Sequence, residues 1–221
     1  MLASPGPVEG VAAEIAAVVR VGNPQIEVVL ATVADLAEAL PEGRESVVVP
    51  LLTWPDPRIM TEIGKAVAAS GAQATVTEAL GPHPLLAEAL HIRLAERELA
   101  RVDRVRLLNV SSPVDAVILG TVGGEQAVHA AQPTAVLLAS RLTLPVVAAS
   151  LDSSPGVAVA AERLRAAGAS RLALSPCVID APSSLVEEAA AAVQAGFAEP
   201  LGAHSAVAEL VARAYGSQLA S

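Results

Sequence analysis

The chain has 221 residues, 53% of them apolar, and a formal charge of −9. That acidic balance excludes a general nucleic-acid binder, which needs a basic face to neutralise phosphates, but leaves room for a local basic cleft around a small ligand. Phe, Tyr and Trp occur once each, so the core must be built from Ala, Val and Leu, and the single cysteine, Cys177, excludes an intrachain disulfide.

The opening MLASPGPVEG has no basic region and no long apolar stretch, so a secretion signal is not expected. A helix is predicted over 8–21, where Ala and Glu favour it. Residues 25–32 read as a strand and 33–40 as a helix. The run SVVVPLLT at 46–53 has the continuous β-branched and Leu pattern of a strand buried on both faces of a parallel sheet. Pro57 or Arg58 opens a helix to about residue 70, since proline is tolerated in a first turn. A strand at 72–79, a turn at 80–84 and a charged helix at 85–100 follow.

The order then restarts. Strands are expected at 115–122, 145–151 and 171–179, and helices at 125–141, 156–167, 183–195 and 206–215. Pro133 predicts a break inside the first of these helices. No apolar run approaches the roughly 18 residues of a membrane span, so no membrane partner is expected. A lone thiol fits a reducing cytoplasm.

The restart is also written in the residues. EALGPHPLLAEAL at 78–90 and EPLGAHSAVAEL at 199–210 share Leu-Gly-x-His ahead of a helical Ala-Glu, at a fixed offset of 204 − 83 = 121. This reads as an internal duplication. Strands alternating with helices mean parallel sheets with helices on both faces. The fold class is therefore α/β, with two similar domains in tandem, 1–110 and 114–221, joined near Ser111–Pro113. In open sheets of this kind ligands bind at the carboxyl ends of the strands.

The series VVVPLLT, EALGPHPLLAEAL, DAVILGTVGG, RLALSPCVIDAPSSL and EPLGAHSAVAELVARAY resembles the duplicated CbiX/SirB-type sirohydrochlorin chelatases. The resemblance implies two α/β halves and insertion of Fe²⁺ or Co²⁺ into sirohydrochlorin for siroheme or cobalamin. It implies no required cofactor, the divalent metal being a substrate and the tetrapyrrole the small-molecule partner. Such a reaction needs a group that ligates the metal and a base for two pyrrole protons, and imidazole suits both. The family places one His after its first strand and one after its third. Here Ala3 or Ser4, and the turn Thr53-Trp54-Pro55-Asp56-Pro57-Arg58, stand at those positions. Both signature histidines are absent, so enzymatic activity is left open, with a non-catalytic tetrapyrrole-, metal- or partner-binding relative as the alternative. A duplicated chain supplies both halves, so a monomer is the simpler expectation, with a dimer possible.

The candidate ligand-binding residues are Ser4, Thr32, Trp54, Asp56, Arg58, Gly123 and Gly124. Trp54 would stack on a macrocycle or plug an interface, and Arg58 would pair with acetate or propionate groups. Asp35 lies one helical turn beyond Thr32. Asp56, Asp180 and Cys177 are the candidate metal ligands, each with a structural reading beside it. Asp56 would cap the helix at Pro57, Asp180 would cap the helix at Ser183 or form an Asx-turn, and Cys177 would be buried and inert. His83 and His204 either reach a shared ligand or hydrogen-bond the first turn of the helix each precedes. His91 is expected to be exposed on its charged helix. His129 forms an i,i+4 pair with Glu125, a spacing that can hold a metal. GTVGGEQ lacks the lysine of a phosphate-binding P-loop.

Overall fold

A computed structural model describes residues 1–101 and 112–219. Eight strands and eight helices alternate among them. β1 (Leu2–Ser4), α1 (Val11–Gly22), β2 (Leu30–Thr32), α2 (Leu36–Ala39), β3 (Ser46–Pro50), α3 (Pro57–Ser70), β4 (Ala74–Val76) and α4 (Pro84–Glu96) come first. β5 (Ala116–Thr121), α5 (Glu125–Leu142), β6 (Val146–Ser150), α6 (Val157–Ala166), β7 (Leu172–Pro176), α7 (Ser183–Ala192), β8 (Gly196–Phe197) and α8 (Ser205–Leu219) repeat the order. The strands form two four-stranded sheets of order β2-β1-β3-β4 and β6-β5-β7-β8, all their pairings parallel. Ala3 faces Pro50 in the first sheet and Gly120 faces Pro176 in the second, so the two prolines close equivalent strands.

The compact units do not follow the sequence halves at 110 and 114. Unit 1 is Met1–Gly81 with Gly202–Ser221, and unit 2 is Pro82–Leu201. Within unit 1, α8 packs on α1 and β3; within unit 2, α4 packs on α5 and β7. Each half thus contributes its last helix to the unit built on the other half's strands. The physical reason is burial. Leu86, Leu90 and Leu94 of α4 are fully buried within unit 2, and Val207, Leu210 and Val211 of α8 are buried within unit 1. The junction expected at Ser111–Pro113 falls partly outside the described residues.

Both cores are small-aliphatic, as the composition requires. In unit 1, Ala3, Ala31, Leu36, Leu40, Val48 and Ile63 form one cluster. In unit 2, alternate strand residues Ala116, Ile118, Leu172 and Leu174 pack with Ala160, Ala161, Leu164 and Val186 from α6 and α7. All six residues of β5 are buried, the pattern of a strand covered on both faces. Gly120 lets Leu151 pack close there, since a Cβ would stand 2.6 Å from Leu151 Cδ2 and that side chain would have to shift.

Several elements differ from the sequence expectation. The strands expected at 25–32 and 72–79 contract to three residues each, and the helix at 33–40 to four. Ahead of β2 the chain turns at Asn23–Ile26 and Arg20 takes the Val28 carbonyl, so pairing starts late. β1 and β8 are short strands that no periodicity announces. Pro133 does not break α5, which runs unbroken from Glu125 to Leu142. A proline inside a helix costs ~3 kcal/mol, and burial of Val128, Ala131, Thr134, Ala135 and Leu138 on one face of this helix offsets it.

Candidate functional site

In an open sheet of order 2-1-3-4 the crevice lies where the chain departs in opposite directions from neighbouring strands. In unit 1 that is between the carboxyl ends of β1 and β3, and in unit 2 between those of β5 and β7. The residues predicted for a site stand at these edges, and the structure gives most of them a local job.

At the unit 1 edge, Ser4 is buried at the end of β1. Its hydroxyl donates to Pro7 O at 3.4 Å and accepts from Gly6 N at 3.3 Å, closing the loop before α1. Thr32 Oγ1 donates to Asp35 Oδ2 at 2.6 Å and accepts from Asp35 N at 3.1 Å, which folds the corner into α2. Trp54 is half-buried in the loop after β3. Asp56 is 8% exposed and is the N-cap of α3, its Oδ1 accepting from Arg58 N at 2.8 Å. The Arg58 guanidinium lies 3.7 Å from Asp56 Oδ2, and its side chain is 86% exposed. An exposed pair of that length adds little stability, so Arg58 holds a cation ready at the edge rather than locked in the fold.

Asp56 and Asp180, both candidate metal ligands in the sequence, do not occupy equivalent positions in the two units. The interval from strand end to helix start is 57 − 50 = 7 in unit 1 and 183 − 176 = 7 in unit 2. Asp56 therefore matches Pro182, and Asp180 matches Trp54. Pro182 is the N-cap of α7 and offers no side-chain cap, so Asp180 does not cap that helix. Asp180 is exposed, whereas Cys177 beside it is buried, its amide donating to Gly120 O at 2.6 Å.

Gly123 and Gly124 stand where an anion-binding loop was considered. Gly124 is the N-cap of α5 with no side-chain cap, but Asp152 already takes the Gly123 amide at 2.9 Å. Asp152 Oδ1 also accepts from Ser150 Oγ at 2.9 Å. Burial alone would raise the Asp152 carboxyl, and these hydrogen bonds, with one from Ser153, outweigh it and hold the pKa below the ordinary range. A carboxylate of the chain itself thus fills the position an anion would take. The sequence offered one signal for this, a Ser-x-Asp directly after β6, the residue types that fold back on nearby amides.

The duplicated Leu-Gly-x-His is a helix-starting corner. His83 Nδ1 accepts from Leu85 N at 3.1 Å, and His204 Nδ1 accepts from Ala206 N at 3.1 Å. The leucines are buried, and their amides bind back to equivalent carbonyls, Leu80 N to Leu52 O at 2.8 Å and Leu201 N to Val178 O at 3.0 Å. The helix-capping alternative for this pair is the one present in the structure.

His91, expected to be exposed, is 7% exposed. Its Nε2 lies 2.5 Å from Arg101 O and its Nδ1 accepts from Arg141 Nε at 3.2 Å. Helical periodicity alone hides this, because the covering side chain comes from α5, fifty residues away. His129 and Glu125 are both exposed on α5. Among the described residues, no three or more His, Cys, Asp or Glu side chains gather where they would hold a metal ion, and no helix is long and apolar enough to cross a membrane.

No protein-family model matches the sequence, and no curated protein does. Solved structures do match. The structure of CbiX, the terminal enzyme for biosynthesis of siroheme in denitrifying bacteria, superposes with a TM-score of 0.69 at 20% identity over 98% of this chain and 96% of that one. A multi-domain protein from Deinococcus radiodurans, with structural similarity to chelatases and two additional novel domains, gives 0.63 at 16% identity. That match covers 96% of this chain and 53% of the other, so this chain spans about half of it. The chain has the two-sheet α/β fold of the CbiX-type chelatases.

Proposed function

We propose that the protein is a chelatase-like enzyme that inserts a divalent metal, Fe²⁺ or Co²⁺, into sirohydrochlorin or a closely related tetrapyrrole. The observation that carries this reading is the likeness to CbiX along nearly the full length of both chains, with polar side chains standing after β1, β2 and β3.

Metal insertion exchanges one hydrated cation for two pyrrole protons. The chemistry asks for a surface that binds the ring, a cation that holds its acid side chains, and a carboxylate or imidazole that accepts protons. In unit 1, Trp54 offers an apolar face and Arg58 a guanidinium suited to acetate or propionate groups. Asp56 and Asp35 offer carboxylates as proton acceptors and as oxygen ligands for the incoming metal. Asp56 spends one oxygen on the Arg58 amide, and its other oxygen faces the Arg58 side chain. In this reading the carboxylates take over the work done elsewhere in the family by imidazoles. The protein needs no nucleotide, and the metal is consumed as substrate.

The test is anaerobic titration of sirohydrochlorin with Co²⁺ or Fe²⁺, followed by absorbance, with and without the protein. Metal insertion faster than the protein-free rate is the expected result. Asp56→Asn keeps a capping oxygen and removes the base, so it should slow insertion by roughly 10²–10⁴. A shifted ring spectrum with no gain in rate would replace the enzyme by a tetrapyrrole-binding protein, and an unchanged spectrum would remove the tetrapyrrole altogether.

A further inference from the structure

Three of the four histidines contact the two helices that pack away from their own sequence half, and all three use the lone pair on Nδ1. His83 accepts the Leu85 amide at the start of α4, and His204 accepts the Ala206 amide at the start of α8. His91, within α4, accepts from Arg141 Nε of α5, while its Nε2 meets Arg101 O. An Nδ1 that accepts carries no proton, so each ring sits in the neutral form with its hydrogen on Nε2. We propose that these histidines form an acid-sensitive latch on the two helices, in which His83 and His204 cap the starts of α4 and α8 and His91 ties α4 to α5, and that both helices loosen as pH falls.

Protonation acts on the latch in two ways. It removes the acceptor, so the Leu85 and Ala206 amides lose their cap. It also places a cation at the positive end of a helix dipole. At His91 the new proton on Nδ1 points at the Arg141 guanidinium, two like charges in a buried space. The stability the caps contribute is complete above the unfolded histidine value near ~6.5 and declines as pH falls below it.

The other charged groups around these helices do not reverse the sign. β7 and β3, packed on α4 and α8, contain no titratable side chain. On α4, Arg93 pairs with Glu96 and donates to Leu201 O, while Glu88 faces Arg141 at 3.4 Å. α5 brings Glu125, His129 and Arg141, of which Arg141 is the one in contact with His91. On α8, Glu209 and Arg213 pair with each other. α1, packed on α8, brings Glu14 and Arg20, and Arg20 is bound to Val28 O. Glu88 is the group that would favour a protonated His91, and it is already drawn to Arg141.

The experiment reads the imidazole ¹⁵N shifts and the amide exchange of α4 and α8 on the full chain between pH 8 and pH 5. His83, His91 and His204 should show the Nε2–H tautomer at pH 7.5; α8 should open about fivefold more readily at pH 5.5, the fold-change of one lost cap of about 1 kcal/mol, and α4 more than that because it also loses the His91 contact. In the His83→Asn/His204→Asn chain, asparagine caps without titrating. There α8 should lose its pH dependence entirely, and α4 should keep only the part carried by His91. An Nδ1–H tautomer or a charged ring at pH 7.5 would overturn the proposal on the native chain, whether or not the variant folds. So would an undiminished pH dependence of α8 in the variant.

Discussion

The two units share strand order but not loop lengths, and the contrast separates scaffold from chemistry. The third corner spans six residues in each unit, 51–56 and 177–182, and the fourth spans seven, 77–83 and 198–204. The first corner spans six in unit 1 (5–10) and three in unit 2 (122–124), and the second corner reverses this, three (33–35) against six (151–156). The corners of fixed length aim a third helix and send a fourth to the other unit, so a residue more or less would rotate a buried face out of register. The corners of variable length only close loops, and each unit closes them in its own way. Unit 1 closes its first and second corners with short bonds inside each loop. Unit 2 folds its longer second corner back so that Asp152 pins the short first one.

The largest test of this comparison is a matched pair of deletions. Leu90 of α4 is fully buried and Leu210 of α8 is 4% exposed. Leu90→Ala and Leu210→Ala should each cost about 2–5 kcal/mol, measured by chemical denaturation. Amide exchange tells the two apart. Leu90→Ala, although in the first sequence half, should expose α5 and β7, and Leu210→Ala should expose α1 and β3. Exchange confined to the variant's own sequence half would contradict the unit assignment.

That crosswise packing was not legible in the sequence, and the reason is physical. Periodicity reports that a helix has an apolar face, not which sheet covers it. The long apolar runs at β3, β5 and β7 were legible because a strand covered on both faces needs nearly every residue apolar. β1 and β8, with three and two residues, carry too little pattern to see. The duplicated Leu-Gly-x-His was legible as a duplication, and its capping role was one of two readings the residues allowed. The burial of His91 depended in part on Arg141 of α5, fifty residues away in sequence, and a charged helix gave no hint of it. The candidate set was legible in its placement at the strand ends. Its division of labour was not, because whether an aspartate caps a helix or faces a ligand turns on one residue of offset.

That offset gives a smaller test. Asp56 caps α3, and its counterpart in unit 2 is Pro182, while Asp180 stands where unit 1 has Trp54. Asp56→Ala should destabilise the protein by about 1 kcal/mol through the lost cap, seen as a lower thermal midpoint. Asp180→Ala, at an exposed position that caps nothing, should stay within about 0.5 kcal/mol of the native chain. Equal losses would mean that the two corners are built alike after all.

The smallest effect belongs to a contact of unit 2 alone, at the opposite edge of its sheet. Asp115 precedes β5. It accepts from the Arg171 guanidinium at 2.6 Å, from the Ser170 hydroxyl at 2.7 Å and from the amides of Ser170 and Arg171, tying the start of β5 to the start of β7. The Arg171 side chain, then the Ser170 hydroxyl and the two amides, hold its carboxyl far below the ordinary carboxylate range. A carboxyl depressed in the folded state contributes stability above its unfolded value near ~3.9, and that contribution disappears as pH falls toward the folded value. Above pH 5 the contribution is therefore constant, and Asp115→Asn should leave the pH dependence of stability in the histidine range unaltered. Carboxyl ¹³C shifts should show Asp115 still ionised at pH 3, below the reference carboxylate values near ~3.9–4.3. A midpoint near the ordinary value would mean that the cluster does not hold in solution, and that β5 and β7 rely on backbone pairing alone at this edge.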